Sequence, residues 1–358
     1  MPAAATPGPE ALHPAPCLER STTRRAWLHT VLLGATAIGS TAAAGNARAA
    51  AASLGASPGS EAPADPIEVA SGVYMVAGLP GAPEPENQGR IGNAGFIVGR
   101  AGVMAIDTGI SYRNGQMLLG AIASITALPV KLVLLTEARQ EFLFGAAAFQ
   151  ERGIAVHMQR DAAALMAQRC ANCLKTLRAE LGEEEMRGTA VVKPDMVFDN
   201  THVVESIGRP VLVQFHGRAS GPGASSAFDV RTATLFAGGL LEHRRIPDIQ
   251  DGDLEIWRGA LVGLRGLRVD TIVPGHGPAG PASELIAAQE GYLSALQQRC
   301  AELLQAGAAL SDVADRAALP AFERWDQYDV IHRRNAAILF LRLESRLLQS
   351  EPVAGAKS

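Results

Sequence analysis

Leu134-Leu135-Thr136-Glu137-Ala138-Arg139-Gln140-Glu141-Phe142-Leu143-Phe144-Gly145 is the stretch on which the fold turns. An apolar run, Val130 to Leu135, feeds it and has the length of a buried strand. The segment beginning at Phe142 is apolar again and expected to be helical. The polar residues between therefore form a loop at a strand end, where α/β proteins usually carry their chemistry. This loop holds two carboxylates around one arginine and neither histidine nor cysteine.

The rest of the chain suits a globular core. Hydrophobic residues make up 47% of the 358 and charged residues 19%, which excludes a disordered chain. The formal charge is -4, which gives no support for binding nucleic acid through its phosphates. Thr23-Arg24-Arg25-Ala26-Trp27-Leu28 precedes a moderately apolar segment and the small-x-small run Ala47-Arg48-Ala49. This pattern resembles a twin-arginine export signal, so residues 1–49 are expected to be a signal peptide and the protein periplasmic. Residues 50–66 are expected to be a flexible linker. Beyond them no apolar run is long enough to span a bilayer. Cys17 would leave with the signal, and Cys170, Cys173 and Cys300 would remain in a compartment that permits disulfides.

From residue 67 onward, strands are expected over Ile67–Val76, Phe96–Val98, Val103–Ile106, Lys131–Leu135 and Ile154–Val156. Helices are expected over Met117–Ile125, Phe142–Arg152 and about 162–181, the last capped by Asp161 and stopped by Gly182. Short strands come next over 201–207, 211–215, 225–230 and 233–237, then a helix capped by Asp253 and a strand over Asp270–Val273. Helices at 282–306, 311–318 and 332–349 complete the chain. Strands in two blocks, each with helices, fit a two-sheet core with helices outside.

Asn93–Val98, Val103–Gly109, Val133–Gly145, Gly217–Gly223, Leu235–Gly239 and Ile272–Gly277 occur in an order that resembles the metallo-β-lactamase superfamily. The resemblance implies an α/β (α+β) fold, a four-layer αββα sandwich, over residues 67–300, with a C-terminal helical extension over 301–358. Arg169-Cys170-Ala171-Asn172-Cys173-Leu174, Leu181-Gly182, Met186-Arg187-Gly188-Thr189, Pro194, His332-Arg333-Arg334-Asn335 and the helix of Glu344 are most similar to the zinc metallohydrolases of quinoprotein (PQQ-dependent) oxidation systems.

Active members of that superfamily hold one or two zinc ions, and the metal makes hydroxide available near neutral pH. Their ligands are a His-x-His-x-Asp-His loop, a histidine in a Gly-His-Thr-like turn, an aspartate after a glycine and a late histidine in Gly-His-Gly. At the corresponding places this chain has Glu137, Arg139, Glu141-Phe142, Ser220 and Gly239, and only the late histidine persists, as His276. Arginine keeps its proton and phenylalanine has no donor atom. No metal or cofactor is therefore expected, and Arg139 is expected to take the place of the metal's charge, pairing with Glu137, Glu141 or Asp107.

Cleft candidates are Asp107, Glu137, Arg139, Glu141, His216, Ser220, His243 and His276. His216, His243, His276 and Glu141 are also the residues from which a displaced zinc site would be built. Ser220 lies between small residues without a neighbouring base, which makes it a poor nucleophile. Cys170 and Cys173 are one helical turn apart and are open to a disulfide, a structural role or redox chemistry. Two function classes suit these residues: a non-catalytic binding or accessory protein, partnered by a small molecule or periplasmic protein of quinoprotein oxidation, or a hydrolase with a rebuilt site. A thiol protein is a third.

Overall fold

Val130–Leu135 (β5) shows why the chain stacks in layers. Leu132 and Leu134 pack into one apolar cluster and Val133 and Leu135 into another. Successive strand residues point to opposite faces, so an uninterrupted apolar strand must be covered on both sides. The neighbouring Val103–Ile106 (β4) divides the same way, with Met104 and Ile106 on the first face and Val103 and Ala105 on the second.

In this computed structural model, residues 65–350 are described. The expected signal peptide and nearly all of the expected linker lie outside them. β4 and β5 belong to a seven-stranded sheet in the order β1-β2-β3-β4-β5-β6-β7. Its other members are Ile67–Ala70 (β1), Val73–Val76 (β2), Ala94–Val98 (β3), Ala155–Gln159 (β6) and Met196–Phe198 (β7). The strands from β4 to β7 run parallel. A second sheet has six strands. These are His202–Val204 (β8), Val211–Phe215 (β9), Ser225–Asp229 (β10), Thr234–Gly238 (β11), Thr271–Pro274 (β12) and Gly280–Pro281 (β13). Only β11 and β12 are parallel in it.

Between the sheets, Ile97, Met104 and Leu134 meet Val213, Phe236 and Val273. The outer face of the first sheet is covered by Tyr112–Ile125 (α1), Ala146–Gln150 (α3) and Arg160–Leu181 (α4), through Leu118, Phe149 and Met166. The outer face of the second is covered by Leu254–Gly266 (α5), Ala282–Gln305 (α6), Leu310–Arg316 (α7) and Arg333–Ser350 (α8), through Trp257, Tyr292, Val313 and Phe340. Three apolar layers thus separate four structural ones, the αββα sandwich.

Several local expectations are corrected. Ile67–Val76 is a hairpin of two strands, because Gly72 adopts φ 72° and reverses the chain. The cap of α4 is Gln159, whose side chain accepts from the amides of Asp161 (2.5 Å) and Ala162 (3.4 Å), so Asp161 lies inside the first turn. Phe142–Arg152 is two short helices, Gln140–Leu143 (α2) and α3, joined through Gly145. A side chain on Gly145 would lie 2.0 Å from the Thr108 carbonyl oxygen, so only glycine lets this turn sit against the end of β4. Asp253 caps α5 as expected, accepting from the amides of Glu255 and Ile256.

Candidate functional site

Asp107, Thr136, Gly238 and Gly275-His276 stand at the C-terminal ends of four strands, β4, β5, β11 and β12. That end of each sheet is where the loops converge. Ser225 donates its amide to the Thr136 carbonyl at 3.1 Å, and Asn93 its amide to the Gly275 carbonyl at 2.8 Å, so the two sheets are tied together beside the cleft.

At the centre lies Arg139. Its Nε donates to Glu137 Oε2 at 2.8 Å, and its Nη2 donates to the carbonyls of Ser220 (3.2 Å) and Asp248 (3.1 Å). The Ser220 hydroxyl donates to the other oxygen of Glu137. Glu137 is only 2% exposed. Burial pushes its carboxyl above the usual range despite the opposing charge of Arg139. Burial also disfavours the charged guanidinium, but Glu137, Asp248, Glu141 and Glu242 outweigh it and hold Arg139 protonated.

The other expected partners of Arg139 lie elsewhere. Asp107 accepts from the Thr136 amide (2.9 Å) and hydroxyl (2.8 Å), and burial raises its carboxyl to about 8. Glu141 approaches His276, with Oε1 3.8 Å from Nε2, a long contact. The short pairing is therefore with Glu137 alone.

His276 is 3% exposed, and its Nδ1 lies 2.8 Å from Glu242 Oε2. Its Nε2 is buried without a hydrogen-bond partner. Burial, helped by Arg245 and Arg139, drives its pKa down to about 3, and burial raises Glu242 to about 8. Sequence reasoning did not reach Glu242. The available signal was a carboxylate ending the apolar run Leu240-Leu241, just past a strand. Arg245, Asp248 and Asp326 also escaped it. Asp326 accepts from the Gly81 amide (3.1 Å) and pairs with Arg245. Asn335 binds the Pro247 carbonyl at 2.6 Å and Arg334 pairs with Asp248 at 2.5 Å, so the C-terminal helix holds the loop that receives Arg139.

His216 stands apart from this cluster, whereas His243 donates its amide to the His276 carbonyl at 3.0 Å. His216 Nε2 lies 2.7 Å from Ser226 Oγ on β10, and burial lowers its pKa to about 4. His243 bonds through Nδ1 to the Pro278 carbonyl at 2.7 Å. It shares with His276 a cavity of about 390 Å³, walled by Ile67, Met75, Leu79 and Pro80. Among the described residues no three His, Cys, Asp or Glu side chains converge to hold a metal, so the displaced site does not assemble. Cys170 and Cys173 are free thiols.

A zinc ion does not fit this donor set. Both oxygens of Glu137 are occupied, by Ser220 and Arg139, and Asp107 is occupied by Thr136. A side chain on Gly239, where the family's aspartate would stand, would meet Glu137 Oε2 at 2.7 Å and Arg139 Nε at 3.1 Å. The ion pair occupies that space, and its cation would repel a divalent ion.

The buried ionisable groups make a pH prediction. Unfolded carboxyls titrate near 4 and histidines near 6.5. Asp107 and Glu242 at about 8 keep protons in the folded state that the unfolded chain releases, so each lowers stability as pH rises toward 8. His276 and His216, at about 3 and 4, act oppositely, but only below about 6.5. Urea unfolding should therefore show stability falling from pH 7 to pH 8.5, with a shallower fall in Asp107→Asn. A rise over that interval would contradict the buried-carboxyl assignment.

Comparison with known proteins agrees with the architecture. A family model described as the metallo-beta-lactamase superfamily matches residues 87–276, just over half of the chain. A metallo-beta-lactamase from Pontibacter korlensis aligns with a TM-score of 0.53 at 21% identity, over 64% of this chain and 98% of that one. The inverting sec-alkylsulfatase Pisa1 from Pseudomonas sp. aligns with a TM-score of 0.61 at 16% identity, over 81% of this chain and 52% of that one. A metallo beta lactamase from Hirschia baltica aligns at 0.51 and 16% identity, over 64% and 97%. At such identities the likeness is one of fold. No curated protein matches. From the family match and the two-sheet sandwich together, the chain belongs to the metallo-beta-lactamase superfamily.

Proposed function

We propose that this protein has exchanged the superfamily's metal site for a fixed charge cluster and works by binding rather than by zinc-dependent hydrolysis. The observation that carries this reading is Arg139. Its guanidinium and the Glu137 carboxylate pair at 2.8 Å and fill the space beside Gly239. The cavity of about 390 Å³ beside His276 falls in the range of small-molecule sites and has mainly apolar walls. The paired Arg24-Arg25 supports export to the periplasm. The segments around Cys170, Met186 and His332 support an accessory role in quinoprotein-linked oxidation, partnered by a small molecule or another periplasmic protein.

The test is metal content joined to activity. Protein refolded or expressed with excess zinc, then desalted, should carry well under one zinc per chain and should not turn over a β-lactam or a sulfate or carboxylate ester. Stoichiometric zinc that His276→Ala abolishes would overturn the reading.

A second reading rests on a different observation. Glu242 fixes the His276 ring through Nδ1 and leaves Nε2 without a partner, 3.8 Å from Glu141. An imidazole held at Nδ1 by a carboxyl group with Nε2 left open has the geometry of a general base, although burial lowers its basicity, so a metal-independent hydrolase with a rebuilt site is the alternative. Zinc-free turnover that is lost in His276→Gln would establish it.

A further inference from the structure

Cys170 and Cys173 play no part in the cleft, yet they differ from each other in an orderly way. Both sit on α4, a helix of 22 residues, more than two turns from its N-terminus. The helix dipole therefore does little for either thiol. Cys170 is 2% exposed and packs with Met166 and Leu177, whereas Cys173 is half-buried. The neighbouring thiols shift each other in opposite directions, Cys170 lowering the pKa of Cys173 and Cys173 raising that of Cys170.

Interaction with the Cys170 thiol lowers the pKa of Cys173, with help from the Arg169 cation and opposition from burial and Glu141. The same interaction, with burial, raises Cys170. Arg169 is itself held by Asp251 at 2.7 Å. One sulfur is therefore more exposed and more readily ionised, and the other is buried as a protonated thiol. A nucleophile needs the first set of properties, and a resolving thiol can have the second.

Bridging is within reach. Helical radius and rise put residues three apart about 5 Å from each other at Cα, inside the roughly 4.4–6.8 Å range of disulfides.

We propose that Cys173 and Cys170 form a dithiol–disulfide exchange site for small, solvent-accessible organic disulfides, with Cys173 attacking and Cys170 resolving. The Cys173 thiolate attacks one sulfur of RS–SR, the S–S bond breaks, and RS⁻ leaves, giving a mixed disulfide on Cys173. Cys170 then loses its proton and attacks the Cys173 sulfur, displacing the second RS⁻. Two protein thiols are oxidised by two electrons, RS–SR is reduced to two thiols, and the protons of the cysteines end on them. The site lies on the outer layer of the first sheet and is independent of whether the cleft binds or hydrolyses.

The experiment uses the full chain and oxidised glutathione, with peptide mapping to separate Cys170 and Cys173 from Cys17 and Cys300. Wild-type protein should release two glutathiones per chain and end with a Cys170–Cys173 bridge. Cys170→Ser should stop at one glutathione held on Cys173, while Cys173→Ser should leave Cys170 unmodified. Alkylation of Cys173 by iodoacetamide should be half-maximal at least one pH unit below the value of about 8.5 for a free cysteine. A lasting glutathione adduct on the wild type, or no reaction at either residue, would overturn the proposal. Should Cys170→Ser fail to fold, the two-for-one stoichiometry of the wild type decides alone.

Discussion

Arg139→Ala should lower the stability of the protein by about 3–5 kcal/mol, the cost of removing one partner of a buried ion pair. For a domain of this size that is a fall of roughly 10 °C in Tm. The reason lies in what the guanidinium holds. It pairs with Glu137, which is 2% exposed, and it satisfies the carbonyls of Ser220 and Asp248 from different loops. Without it, Glu137 faces Glu242 in a buried cluster with its principal counter-charge gone. Protonation offers Glu137 an escape, and that escape is easier in acid. The loss of Tm in Arg139→Ala should therefore be larger at pH 8 than at pH 5.5, and Glu137→Gln on the same background should recover part of it. Equal melting of wild type and Arg139→Ala at pH 8 would mean that these are solvated loop charges.

Arg209→Ala should be of similar size for a different reason. Arg209 is 4% exposed and grips Asp229, which is fully buried, through Nε at 2.6 Å and Nη2 at 2.5 Å. It also donates to the carbonyls of Val98 on β3 (3.0 Å) and Ser71 in the β1–β2 turn (3.1 Å). One side chain thus joins an aspartate of the second sheet to the backbone of the first. Removing it leaves a carboxylate and two carbonyls to find other partners, at about 3–5 kcal/mol for the ion pair alone. Asp229 gives the pair an acid-sensitive signature. Burial opposes its ionisation, but Arg209 and Thr232 overcome that and hold its pKa below the ordinary value. Its stabilisation is thus complete above about pH 4 and lost as pH falls through the depressed pKa. Arg209→Lys, a point charge without the planar fork, should recover only part of the loss. Equal urea midpoints for wild type and Arg209→Ala would refute this.

The first of these sites is legible in the amino-acid sequence and the second is not. Arg139 stands in a polar loop between an apolar strand and an apolar helix, and its two flanking carboxylates share that loop. Sequence proximity makes a local ion pair foreseeable. It cannot choose among Glu137, Glu141 and Asp107, because the choice depends on which oxygens other groups have already taken. Thr136 takes Asp107, and Glu141 is turned toward His276, 3.8 Å away. Arg209 and Asp229 are separated by a full hairpin, and nothing in their local sequence marks them as partners.

The layers come from periodicity. Apolar runs such as Val130–Leu135 require cover on both faces, and their distribution in two blocks requires two sheets. The expectation of no zinc site also comes from residue types, since neither arginine nor phenylalanine can donate a lone pair to a metal. Tertiary structure decides the long-range partnerships, Glu242 with His276 and Asp326 with Arg245, and the burial of Cys170. A strand's pattern shows which face a residue takes, because alternation is local. Which group meets it across that face depends on chain crossings tens or hundreds of residues away, and so does how strongly burial shifts its charge.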